Sequence, residues 1–88
     1  MKVKVGDIVC VHAARCTPPD VWVLITSVEG HRDAELHGRA LVPFRNWANL
    51  QRWPGDKTIF NSSHLTAIDN DNPEALAAVA RLALEGRL

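Results

Sequence analysis

Two groups of residues in this chain have types and spacings that could do chemistry. Cys10, His12 and Cys16 form the densest set of soft metal ligands, and an extended segment puts Cys10 and His12 on one face. A structural zinc takes four ligands, commonly from paired short-spaced knuckles. His31, His37 or His64 would have to complete the set, and the Cys-x-x-Cys spacing is absent. Cys16 with a histidine from elsewhere could also form a nucleophilic pair, but neither a nucleophile motif nor an oxyanion-forming glycine turn accompanies it. The expectation is therefore no metal, no cofactor and no catalysis, with Cys10 a small core residue and Cys16 a loop thiol.

The second group is the stretch from Arg39 to Lys57. Four cations, Arg39, Arg45, Arg52 and Lys57, face one acid, Asp56, with Phe44, Trp47 and Trp53 between them and amides at Asn46, Asn49 and Gln51. Arginine beside tryptophan is the composition of interface hot spots. It is also that of a single-strand surface, where bases stack on aromatics while cations follow the phosphates. The plainer alternative is that Phe44, Trp47 and Leu50 close a core while the arginine stems cover apolar surface. Trp22 lies in a strongly apolar run and is expected in the core. The candidate binding residues are Arg39, Arg45, Trp47, Arg52, Trp53 and Lys57.

What can position these residues is bounded by size. Eighty-eight residues make one domain. With 47% hydrophobic and 23% charged residues the composition is globular. Ten Lys plus Arg balance ten Asp plus Glu, so any attraction for polyanions has to be local. No apolar run approaches the roughly 20 residues that span a bilayer, and the charged, alternating start Lys2-Val3-Lys4-Val5 is unlike a secretory signal. Two cysteines are too few for a disulfide framework. A cytoplasmic protein with free thiols and no membrane association is expected.

Lys2 to Val5 and Ile8 to His12 read as one first strand running through Gly6. The prolines of Arg15 to Asp20 break it, and Val21 to Val28 reads as a central strand buried on both faces. Glu29 to Asp33 reads as a polar turn. A third strand is expected at Ala40 to Phe44, then a short helical or 3₁₀ segment on the three-residue recurrence of Phe44, Trp47, Leu50 and Trp53. Trp53-Pro54-Gly55-Asp56 predicts a type II turn. Lys57 to Phe60 predicts a strand, Asn61 to Leu65 a capped single turn, and Thr66 to Ile68 a last strand. Asn72-Pro73-Glu74 starts a helix that should run to about Glu85 and stop at Gly86. Leu76, Val79, Ala80 and Ala83 are expected on one face, flanked by Leu82 and Leu84.

This order resembles an SH3-like small β-barrel over residues 3 to 68, carried by Val5-Gly6-Asp7-Ile8-Val9 at the start and Ile59-Phe60…Leu65…Ile68 at the end. The resemblance implies a mainly β fold, a five-stranded barrel over residues 1–68, with residues 69–88 a polar linker and C-terminal helix packed on the barrel or on a dimer partner. The walls of the peptide groove in signalling SH3 domains are largely tyrosine, and this chain has none. The last two strands also look like those of the plasmid-borne type II dihydrofolate reductases, but Thr58 and Phe60 stand where that family has glutamine and tyrosine, so its activity is not carried over. The expected function is a non-enzymatic protein-protein interaction module, an inhibitor or adaptor. A nucleic-acid-binding module using the same patch is the alternative, and the helix offers a homodimer surface.

Overall fold

The computed structural model describes residues 2–29 and 35–88. The turn expected at Glu29 to Asp33 therefore lies mostly outside the described residues, as does His31. The chain is mainly β with a C-terminal helix: β1 (Ile8–His12), β2 (Asp20–Glu29), β3 (Glu35–Ala40), β4 (Phe44–Arg45), β5 (Gln51–Arg52), β6 (Lys57–Asn61), a 3₁₀ turn (Ser62–His64), β7 (Leu65–Ile68) and α1 (Pro73–Leu84). Five strands form an antiparallel sheet in the order β6-β3-β2-β1-β7, and β4 and β5 pair separately. β6 and β7 are the two edges of the larger sheet, with no ladder between them among the described residues, so that sheet is open.

β2 holds the sheet together and explains its own apolar run. Its first half pairs with β1 and its second with β3, with a register shift between Ile25 and Ser27. Val21, Val23 and Ile25 point into the main core beside Val9, Val11, Leu36, Ala40, Phe44 and Phe60. Trp22 and Leu24, on the opposite face, pack under α1 with Ile8, Leu41, Ala75 and Leu82. The run is continuous because both faces of the strand are covered, one by sheet and one by helix.

Several expectations are corrected. The first strand does not run through Gly6, whose φ of 95° turns the chain; β1 begins at Ile8 and Val5 is exposed. The third strand is Glu35–Ala40, not Ala40 to Phe44. Its pattern is alternating, with Leu36, Gly38 and Ala40 inward and half-buried or exposed residues outward. Gly38 is required there, because a Cβ would run into the carbonyl oxygen of Leu24 and the side chain of Val23. The segment expected to be helical is the β4–β5 hairpin. Phe44 is buried while Trp47, Leu50 and Trp53 are exposed, so the three-residue recurrence marks no common face. Asn46 organises the hairpin loop, accepting from the backbone N–H groups of Ala48 and Leu50 at 3.0 Å each.

The turn and helix signals fall where they were read. Asp56 N–H donates to the Trp53 carbonyl at 3.0 Å and Gly55 takes φ 94°, the arrangement a Pro-Gly type II turn requires. The Asn61 side chain caps the 3₁₀ turn through Ser63 N–H. Asn72 caps α1 through Glu74 and Ala75. The helix ends in a Schellman motif, Gly86 N–H donating to Ala83 and Arg87 N–H to Leu82, with Gly86 at φ 68°. The buried helix face differs from expectation. Ala75 and Leu82 are buried with Ala78 and Val79 packed beside them, whereas Leu76 and Leu84 are exposed. The helix thus docks on its own sheet through Ala75, Ala78, Val79 and Leu82.

Asp69 to Asn72, read as a polar stop, is a clamp. Asp69 accepts from the Trp22 indole and from the Asn72 amide, at 3.0 Å each. Asn70 accepts from Ile8 N–H at 2.7 Å and donates to Asp7 at 3.0 Å. Asp7, itself buried, also takes the Lys4 N–H. These bonds tie the start of β1, the centre of β2 and the cap of α1 into one junction.

Candidate functional site: a cationic cleft along the sheet edge

A cleft of about 870 Å³ opens beside β6. Three parts of the chain build it. The loop after β1 supplies Ala13 to Cys16, and it is tied to β4 by reciprocal backbone bonds between Thr17 and Arg45 at 2.9 and 2.8 Å. The β4–β5 hairpin supplies Trp47, Ala48, Leu50 and Arg52. The third side is β6 and the following turn, from Lys57 through Asn61 to His64. Phe44 and Phe60, tilted rings with centroids 5.8 Å apart, form the buried floor.

The lining combines apolar surface with one sign of charge. Trp47 is 76% exposed, Ile59 59% and Leu50 55%, although each stands beside others of its kind. Arg15, Arg52 and Lys57 line the same space, and none of its lining residues is a carboxylate. Cations on low-dielectric walls focus their field into the opening, so a chain of zero formal net charge presents a locally positive, apolar cleft. An acidic ligand with apolar side chains fits this chemistry.

The six residues singled out from sequence divide. Trp47, Arg52 and Lys57 line the cleft. Arg45 is exposed on β4 with Nη1 3.5 Å from the Asn49 carbonyl, outside the lining. Arg39 is half-buried and donates to the Gly55 carbonyl at 3.1 Å, a bond that secures the Pro-Gly turn. Trp53 is 58% exposed on that same turn, likewise outside the cleft. Arg15, Leu50, Ile59 and His64 were not among the six; their common place depends on loop and edge packing that spacing along the chain does not encode.

The cysteine and histidine set is dispersed. Cys16 lies in the core, and burial pushes its thiol pKa up against a partly offsetting backbone N–H from Trp47. Cys10, expected in the core, is half-buried on the outer face of β1, while Cys16 lies in the loop as expected but is the buried one of the two. His12 shares that outer face, but its Nδ1 lies 2.8 Å from Asp20, its cross-strand neighbour. Among the described residues no three His, Cys, Asp or Glu side chains converge to hold a metal ion. Trp22, expected in the core, is half-buried between sheet and helix, packed against the smaller apolar cluster with its indole N–H spent on Asp69.

Among the described residues no helix is long and apolar enough to cross a membrane. No protein-family model, curated protein or solved structure matches the chain.

Proposed function

We propose that this chain is a non-catalytic protein-binding module, an inhibitor or adaptor acting in the cytoplasm, whose partner is seated in the cleft beside β6. The observation that carries the reading is the lining itself: exposed Trp47, Leu50 and Ile59 next to Arg15, Arg52 and Lys57, with no carboxylate among them. Aromatic and arginine side chains grouped over an apolar floor are the anchors that interfaces use. The domain that presents them is read as an SH3-like small barrel. Two short segments, the loop after β1 and the β4–β5 hairpin, stand beside its β6 edge.

Trp47 is the anchor and Trp53 the internal control. Partner capture should be lost with Trp47→Ala and Arg52→Ala and kept with Trp53→Ala, each variant retaining the wild-type melting profile. Nuclease treatment should leave the captured partner in place. The same cations also favour a single-stranded nucleic acid, which would instead bind with an affinity falling steeply in salt through counterion release; an interaction lost on nuclease treatment would replace the protein reading with that one.

A further inference from the structure

β6 is an edge strand, and the cleft follows its free side. Five consecutive residues, Lys57 to Asn61, line the cleft, whereas one face of a strand shows only alternate residues. The hydrogen-bond alternation fixes which groups point outward. Ala40 N–H donates to Asp56 at 3.0 Å, and continuing that register makes Gly38 with Thr58 and Leu36 with Phe60 the bonded pairs. Lys57 and Ile59 therefore direct their backbone groups away from β3. Ile59 has no backbone partner on that side among the described residues.

We infer that an extended acidic segment of a partner protein adds to β6 as a sixth strand of the sheet. The inference rests on the proposed role of the cleft and names how the cleft is filled. A peptide backbone offers the alternating donors and acceptors that the Ile59 edge presents, while a nucleic acid backbone offers phosphate acceptors alone. Side chains of the added strand would meet Trp47, Leu50 and Arg52 from the hairpin and Lys57 from β6 itself. Charge selects the occupant: a second copy pairing through its own β6 would bring Lys57 and Arg52 of each copy into one positive cleft, and an acidic strand is attracted there.

The probe is a capped peptide in which valine and glutamate alternate, titrated into ¹⁵N-labelled protein, with amide hydrogen exchange followed at Lys57 and Ile59. The glutamate peptide should slow exchange at Ile59 and bind at least about tenfold more tightly than its lysine counterpart, a difference of about 1.4 kcal/mol. N-methylation of alternate peptide amides, which keeps charge and side chains, should weaken binding by about tenfold or more. Ile59→Pro, which removes the outward N–H at an edge position where proline is tolerated, should do the same. The peptide comparison stands even if that variant fails to fold. Binding that survives both N-methylation registers overturns strand addition and leaves the cleft as a protein-binding surface of another kind. Binding of an oligothymidylate without protection of Ile59, or no binding of the glutamate peptide, overturns the inference as well. Partner capture by the Trp47→Ala and Arg52→Ala variants is measured without these peptides and tests the broader reading separately.

Discussion

Gly38 shows how one residue type can be dictated from outside its own strand. Its missing Cβ is what lets β3 pair with β2 next to the register shift at Ile25 and Ser27, since Leu24 backbone and the Val23 side chain occupy that space. Gly38→Ala should cost about 1–3 kcal/mol, read as a fall in the midpoint of urea unfolding. Asp69 and Asp7 act through charge. The Trp22 indole, then the Asn72 amide, hold the Asp69 carboxyl below its usual pKa, and the Lys4 backbone N–H, then the Asn70 amide, do so for Asp7. A folded pKa below the unfolded value means the stabilisation is complete above about pH 4 and is lost as pH falls through the folded values. Unfolding midpoints should therefore drop below about pH 4, and Asp69→Asn should make that drop shallower. An unchanged acid profile in the variant would mean that the Trp22 bond does not favour the carboxylate.

At the scale of elements, α1 is the cover for the outer face of β1 and β2. Leu82 is its most deeply placed large side chain, buried against Ile8 and Leu41 and 3.3 Å from where a Gly55 Cβ would stand. Leu82→Ala should destabilise the domain by about 2–4 kcal/mol, and Asn72→Ala by about 1 kcal/mol through loss of the cap; thermal melts followed by tryptophan fluorescence would report both, since Trp22 lies under the helix. The signals for these elements were legible unevenly. Proline, glycine and asparagine marked the Trp53–Asp56 turn and both ends of α1, because their conformational limits act locally. β3 was missed because its outward residues are polar and its inward ones include a glycine and an alanine, so its alternation carries little apolar weight. The β4–β5 hairpin was read as helical because periodicity counted Phe44 and Trp47 as equivalent, while Asn46 folds the loop so that one is buried and the other exposed. The helix face was displaced because packing on a sheet chose the alanine stripe, and the larger Leu76 was left outside.

For the molecule as a whole, the open sheet matters most. An open edge at β6, a loop pinned to β4 and a hairpin standing beside them bring together Arg15, Trp47, Arg52, Lys57 and Ile59, residues spread over half the chain. Sequence reading found three of the six candidates that line this cleft, since a basic and aromatic composition was visible in one stretch. It could not assign Arg15 or Ile59 to the same site, because their meeting depends on the fold of the sheet. The central claim is that this cleft, and not the exposed leucines of α1, is where a partner binds. The most direct test places a benzophenone photocrosslinker in living cells at Ala48, inside the cleft, and separately at Ala80 on the exposed side of the helix. The account predicts a discrete protein adduct from Ala48 that is resistant to nuclease, and none from Ala80. Adducts from Ala80 with none from Ala48 would contradict it and move the binding surface to the helix.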